Sequence, residues 1–464
     1  MCGVTGIFAP GRDAARLAFF ALYALQHRGQ ESAGIAASDG ATLRSHKAMG
    51  LVGAIFDETM LADLSGHIAV GHTRYSTSGS SIVVNAQPLL ERSDLGDFAF
   101  AHNGNLTNTD QLRAQLSAAV TFDASSDSEV LAKLLVEGEG SLVQRIERVL
   151  DRARGAYSVV LCTQNELYAF RDPWGVRPLA LGAFDEGGFI VASESCAIGT
   201  VGARFVREIE PGEIVRIDAN GIESWNSHRD SETPALCMFE YIYFARPDSE
   251  FGGRSVYLAR YAMGRALAQE HPVEADVVMA VPDSAVPAGI GYAAESGLPY
   301  IEGLIKNRYI GRTFISPDQP MRARGVQLKF NPLVENLRDR RVVVVDDSIV
   351  RGTTTPRIVS LLRDAGAREV HLRISSPPIL HPCYLGVDMA SYDELIAANA
   401  TVEEIREHTG ADSLGYLSLD RLITATGRKR QEMCLGCLTG AYPSVPGSHH
   451  SRTAEAVATA NRLH

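Results

Sequence analysis

The sequence has no apolar run long enough to span a bilayer, which excludes a membrane-spanning helix. No basic segment followed by an apolar core stands near its start, so no secretory signal is expected and a cytoplasmic setting is. Positive charge is in short supply. The 44 Lys and Arg against 55 Asp and Glu leave a formal net charge of -11, with a pI near 5.7. An extended nucleic-acid surface needs clustered positive charge, so nucleic acid is not an expected partner, and neither is a membrane. Anionic partners must be met locally, by a few placed basic groups or backbone amides. No internal repeat is visible. Cysteine is scarce, with 7 in 464 residues. In a reducing compartment such cysteines read as reduced, catalytic or metal-bound rather than paired as disulfides.

What is present fits a soluble globular protein: 45% of residues are hydrophobic and 21% charged. A chain of 464 residues exceeds one ordinary core and implies two domains. Residues 14–26, "AARLAFFALYALQ", read as a buried helix. Short β-like runs broken by glycine follow, then a helical stretch over 128–150 with a glycine break, then β-rich sequence over 156–217. The character of this part is mostly antiparallel. At 221–235 the pattern turns polar and loses periodicity, which places a boundary there. Beyond it, "ADVVMAVPDSA" and "RRVVVVDDSIV" are apolar runs that end in acids and precede helical stretches. Uninterrupted valine runs alternating with helices predict a parallel sheet buried on both faces. The expected division is 2–230 and 231–440, with a poorly ordered tail at 441–464.

The chain begins "MCGVTGIFAP". Removal of Met1 exposes an α-amine and a thiol on the same residue, Cys2. With an unperturbed pKa of about 8, part of that amine is neutral at physiological pH and can accept the thiol proton. The same ten residues also read as a buried cysteine at the start of a strand. Four motifs bear on the choice: "QHRGQESAGIA" at 26–36, "GHTRYST" at 71–77, "HNGNL" at 102–106 and "SSDSE" at 125–129. Thiolate attack on a carboxamide creates an oxyanion, for which the Asn103 side-chain amide and the Gly104 N–H are candidate donors. Arg74 suits the α-carboxylate of an amino-acid amide, and Asp127 its α-ammonium.

Together, and with "RDPWGVRPL" at 171–179, these residues resemble the glutamine amidotransferase family of N-terminal nucleophile hydrolases. The resemblance implies a four-layer αββα sandwich and hydrolysis of glutamine through a thioester on Cys2. It assigns Asn103 and Gly104 to the oxyanion hole and Arg74 and Asp127 to the substrate. Ammonia made in water is protonated and lost, so an ammonia acceptor is expected in the second domain.

There, "VVVVDDSIVRGTTT" at 342–355 ends a strand in two aspartates and runs through a Gly-Thr loop into a helix. Loop amides and hydroxyls at a helix N-terminus bind phosphate without bulk positive charge. The paired acids suit ribose hydroxyls, directly or through Mg²⁺. The stretch resembles the phosphoribosyl pyrophosphate (PRPP) motif of type I phosphoribosyltransferases. That resemblance makes Asp346, Asp347, Ser348, Arg351, Gly352, Thr353, Thr354 and Thr355 PRPP-binding. "AVPDSAVPAG" at 280–289 resembles the pyrophosphate loop, with Ser284 joining Asp346 and Asp347 as Mg²⁺ ligands. "KNRYIGRTFI" at 306–315 resembles the closing loop, with Lys306, Arg308 and Arg312 toward the pyrophosphate.

An amidotransferase followed by a phosphoribosyltransferase is the layout of the amidophosphoribosyltransferase family, which the junction "CMFEYIYFARPDS" at 237–249 also resembles. The implied reaction transfers glutamine-derived ammonia to C1 of PRPP, the committing step of purine synthesis. "MCLGCLTG" holds a C-x₂-C pair, whose spacing leaves zinc and iron–sulfur open. The resembled subclass implies a [4Fe–4S] cluster on Cys237, Cys383, Cys434 and Cys437, structural Zn²⁺ being the alternative. Its members often carry a short propeptide, where this sequence has only Met1. Cys162 and Cys196 read as core residues. The resemblance further implies a homotetramer inhibited by purine nucleotides. Amidotransferases that make glucosamine phosphate or asparagine lack the 342–355 motif, and a non-catalytic PRPP sensor would not need the Cys2 set.

Overall fold

A computed structural model describes residues 1–76, 79–118, 120–226, 233–307, 329–389 and 391–444. Arg308, Arg312 and the last twenty positions of the expected tail lie outside the described residues. The chain divides into two compact units. The first holds Met1–Leu236, Cys383–Asp388 and the C-terminal residues from Tyr442. The second holds Cys237–Pro382 and Met389–Ala441. Among the described residues no helix is long and apolar enough to cross a membrane.

Two antiparallel sheets build the first unit. One contains β1 (Gly3–Phe8), β2 (Ser32–Ser38), β3 (Leu43–Met49), β4 (Ile68–Arg74), β9 (Ala180–Ala183), β10 (Phe189–Ala192) and β11 (Arg204–Glu208). Its order is β11-β9-β10-β1-β4-β2-β3, with the N-terminal strand at its centre. The other contains β5 (Leu89–Ser93), β6 (Gly96–Leu106), β7 (Gly155–Cys162), β8 (Leu167–Arg171), β12 (Glu213–Asp218) and β13 (Gly221–Asn226), in the order β13-β12-β8-β7-β6-β5. Val4, Ile68 and Val70 of the first sheet share a buried cluster with Ala101, Val160 and Val215 of the second, so the two pack face to face.

Helices cover the outer faces. The helix Ala14–Ala24, capped by Asp13, packs its alanines against Ile7 and Ile35. The helices Asp127–Val136 and Leu142–Arg152 pack on Phe100, Val159 and Phe170. The result is the αββα layering that the amidotransferase resemblance implies. The glycine break in the 128–150 stretch separates these two helices. Ser141 starts the second with a reciprocal Gln144 cap.

The second unit is built on a four-stranded parallel sheet, β14 (Val277–Ala280), β15 (Arg341–Asp346), β16 (Glu369–Ile374) and β17 (Ser413–Tyr416), in sequential order. Val342 to Val345 are all fully buried, as a strand covered on both faces requires. The helices Val286–Ser296 and Thr355–Asp364 follow the loops beyond β14 and β15, which places both loops at the carboxyl ends of parallel strands.

Arg145 is a buried guanidinium that closes the turn between the two outer helices. It donates to Leu135 O, Val136 O and Gly140 O at 3.0 to 3.2 Å and to Asp94 at 2.7 Å. Arg145→Ala strands those carbonyls without a donor and is expected to cost roughly 2–4 kcal/mol. Denaturant unfolding of the variant against the parent measures it.

Candidate active sites

Cys2 precedes the central strand of one sheet, and Asn103 lies on β6 of the other. The backbone N–H of Cys2 donates to Asn103 Oδ1 at 2.9 Å, so a single side chain ties Cys2 to the second sheet. The Cys2 carbonyl accepts from Arg28 Nε at 3.0 Å, and its Sγ lies 3.5 Å from the Tyr75 N–H. Arg28 is itself fully buried, with its charge met by Glu194 at 2.5 Å. His27 reaches the same carboxylate at 2.7 Å. The backbone nitrogen, carbonyl and thiol of one residue are thus held from three separate stretches of the chain.

The other groups converge by sequence neighbourhood. Asn103 is fully buried, and its Nδ2 has no hydrogen-bond partner among the described residues. Nor have the buried hydroxyls of Thr73, beside Arg74, and Ser126, beside Asp127. Orphaned polar atoms are rare in folded interiors, and three adjacent to proposed recognition residues fit a site that a polar ligand completes. A side chain at position 104 would meet Ala156 O at 1.9 Å, so only glycine brings its backbone this close. Asp127 opens its helix and accepts the Leu106 N–H at 2.9 Å. Arg74 is buried and donates to the Ser80 and Gly79 carbonyls at 3.1 and 3.4 Å.

In the second unit, β15 ends at the paired acids. Asp347 accepts from Ser284 Oγ at 2.5 Å and from Ser348 Oγ at 2.7 Å, and its own N–H donates to Asp346 Oδ1 at 2.9 Å. Burial pushes both carboxyls up, and the neighbouring Asp347 pushes Asp346 further. Gly352 adopts a φ of +67°, and a side chain there would strike Ile396 at 2.4 Å. The Gly352 carbonyl is held by His408 Nε2 at 3.1 Å. Thr353 and Thr354 are exposed, whereas Thr355 is buried as the first residue of its helix. Arg351 pairs with Glu394 at 3.1 Å, and Lys306 pairs with Asp283.

The sequence reading gave no role to Arg28, Glu194 or Lys329. The Lys329 charge acts on both Asp346 and Asp347, and a lone lysine in "GVQLKFNP" gives no signal of that. It also gave no role to Tyr384, Leu385 or Asp388. The Tyr384 carbonyl accepts from Asn105 at 2.9 Å, the Leu385 carbonyl from Arg177 Nε at 3.1 Å, and Asp388 from the Tyr75 hydroxyl at 3.0 Å.

Cys162 and Cys196 are buried, the former with its thiol pushed up to about 12 by burial. Cys237, Cys434 and Cys437 are buried and Cys383 half-buried. Among the described residues no three His, Cys, Asp or Glu side chains gather as a metal site.

Comparison with known proteins matches both halves. The glutamine amidotransferase domain family matches residues 72–200, and the phosphoribosyl transferase domain family residues 259–378. The amidophosphoribosyltransferase of Archaeoglobus fulgidus is 52% identical over 456 residues, which cover 96% of this chain and 99% of the relative. That of Synechococcus elongatus is 50% identical over 449 residues, covering 95% and 91%. The solved structure of glutamine PRPP amidotransferase from B. subtilis, complexed with ADP and GMP, has a TM-score of 0.90 at 47% identity, covering 96% of this chain and 98% of that one.

Behind the first site, His72 is fully buried and donates from Nε2 to the His102 carbonyl at 3.1 Å. Burial pushes its pKa down to about 3 from an ordinary 6.5. Between those values the unfolded chain binds the extra proton, so His72 stabilises the fold above pH 6.5 and that contribution is lost as pH falls toward 3. The shift corresponds to on the order of 5 kcal/mol. Free energy of unfolding measured from pH 6.5 to 4 is expected to fall less steeply in His72→Gln, by about one proton's worth of slope. Parallel slopes would show that His72 does not carry the acid sensitivity.

Proposed function

The chain belongs to the amidophosphoribosyltransferase family, and from that premise we propose how its residues divide the reaction. The activity is hydrolysis of glutamine and transfer of the ammonia to C1 of PRPP, giving 5-phosphoribosylamine, glutamate and pyrophosphate, the first step of purine biosynthesis. The observation that carries the residue assignment is the Asn103 side chain. Its oxygen holds the Cys2 nitrogen, and its buried nitrogen is left without a partner among the described residues.

Once Met1 is removed, that backbone nitrogen becomes the α-amine. It takes the thiol proton, and the thiolate forms a bond to the carboxamide carbon of glutamine. The developing oxyanion is met by Asn103 Nδ2 and the Gly104 N–H. Arg74 and Asp127 hold the α-carboxylate and α-ammonium. The amine returns its proton to the leaving nitrogen, ammonia departs, and water cleaves the Cys2 thioester to glutamate.

In the second unit the loop 348–355 and the N-terminus of the following helix receive the phosphate, and Asp346 and Asp347 the ribose hydroxyls. Lys306, with Arg308 and Arg312, neutralises the departing pyrophosphate. Ser284, Asp346 and Asp347 are an all-oxygen set whose carboxyls are pushed up by burial, and such a set fits Mg²⁺. A bound Mg²⁺ supplies charge that keeps both carboxylates ionised.

Cys237, Cys383, Cys434 and Cys437 are assigned to a [4Fe–4S] cluster on the family resemblance and on their thiolate donor chemistry, structural Zn²⁺ being the other candidate. No step of the reaction passes through it. The nucleotides in the solved B. subtilis relative support feedback inhibition by purine nucleotides here. A cytoplasmic homotetramer is the assembly that the family resemblance supports.

Cys2→Ala is expected to abolish glutamine-dependent synthesis and to leave synthesis from ammonium salts near the parent rate. Loss of both would remove Cys2 from the glutaminase step alone. Glutamate release by the parent should rise on addition of PRPP and Mg²⁺; release that ignores them would leave two uncoupled activities. Metal analysis of anaerobically purified protein should find about four irons with matching acid-labile sulfide per chain. Zinc without sulfide would replace the cluster assignment.

A further inference from the structure

Resting on the glutamine-site reading above, we infer that Gln87, Ser128 and the His102 ring form a buried spacer that sets how long an amino-acid amide the first site accepts. The His102 N–H donates to Gln87 Oε1 at 2.7 Å. A backbone N–H can only donate, so the Gln87 amide orientation is fixed and its Nε2 must point the other way. There it donates to Ser128 Oγ at 2.9 Å. Ser128 Oγ in turn lies 2.9 Å from His102 Nδ1, which closes the circuit on the residue where it began. All three side chains are about 3% exposed or less. Burial lowers the His102 pKa, so its ring stays neutral and the circuit carries no net charge.

The position of this circuit gives it a function. His102 immediately precedes Asn103 and Gly104, the oxyanion donors. Ser128 immediately follows Asp127, the ammonium acceptor. These two recognition points belong to different elements, β6 and the helix Asp127–Val136. The Leu106 N–H to Asp127 bond links them directly. The His102 to Ser128 contact, braced by Gln87, is a further link and fixes the strand to the first turn of the helix.

An amide substrate spans the two points with its own carbon chain. Glutamine and asparagine differ by one methylene, and a site tells them apart only as well as its two ends are held apart. One methylene is worth about 10–200-fold in discrimination when the frame is rigid. Loosening the frame lets the helix end approach the oxyanion donors and narrows that difference.

Ser128→Ala removes one hydroxyl, and Gln87→Met keeps the length of the side chain while removing its amide. In both, kcat/KM for glutamine over asparagine is expected to fall at least tenfold, mainly through a higher KM for glutamine. Alkylation of Cys2 by iodoacetamide, which uses neither recognition point, should keep its rate. Synthesis from ammonium salts should also stay near the parent rate, which shows that the variants are folded. A merely structural role would slow glutamine and asparagine alike and leave their ratio unchanged. An unchanged ratio in either variant overturns the inference. Asp127→Asn run in parallel separates the two levels: if it leaves the KM for glutamine unaltered, the glutamine-site reading itself fails. If it raises that KM while the Ser128 and Gln87 variants keep parent selectivity, only the spacer fails.

Discussion

One hydrogen bond organises the first unit: the Cys2 nitrogen on the Asn103 side-chain oxygen. Cys2 precedes β1 at the centre of one sheet, while Asn103 lies on β6 of the other. The sandwich core sets where those two strands come together. Val4 and Val70 on one inner face and Ala101 and Val160 on the other are fully buried. Small residues where the sheets approach bring the Cys2 backbone within reach of a side chain as short as asparagine. The rest of the site inherits this constraint. Arg28 fixes the Cys2 carbonyl, and an uncompensated guanidinium is not tolerated at that depth, so Glu194 accompanies it.

The second unit solves a different electrostatic problem. Its sheet is buried on both faces, and β15 delivers two adjacent carboxyls to its end. Burial disfavours their ionisation, and the neighbouring Asp347 raises the cost further for Asp346. Hydroxyl donors from Ser284 and Ser348 and the charge of Lys329 offset part of this. A pair held in this condition gains most from a cationic or hydroxyl-rich ligand, which fits the proposed binding of Mg²⁺ and ribose.

Local pattern made some of this legible. Valine runs ending in acids mark β14 and β15 because a strand covered on both faces has no polar alternation. The alternation of β-runs with helix Ala14–Ala24 and the glycine break near residue 138 placed most elements of the first unit. The Cys2, Asn103 and Asp127 assignments came from motif order, which preserves residue type at positions where chemistry permits little else. What stayed hidden is recognised through backbone. Tyr384 and Leu385 contribute carbonyls to Asn105 and Arg177, and any residue has a carbonyl. Their place in the first unit, far from its other residues in the chain, leaves no periodic signature. Gln87 was silent for another reason: its role depends on partners 15 and 41 residues away, on a strand and a helix.

The neutral histidines bear on which group serves as base. "HNGNL" and "GHTRYST" each put an imidazole beside a recognition residue, and histidine is the usual general base near neutral pH. Both rings are displaced from that role by burial. His72 titrates near pH 3, and His102 is lowered in the same direction with its Nδ1 engaged by Ser128. A ring with proton affinity as low as that of His72 gains little by taking a proton from a thiol near neutral pH. In the proposed mechanism the acceptor is the nitrogen attached to Cys2 itself. The Asn103 bond that locates Cys2 would then also orient that base. On that proposal exposure of the nitrogen is a condition for activity: while Met1 is attached, the position holds an amide N–H, which can donate to Asn103 and cannot accept the thiol proton.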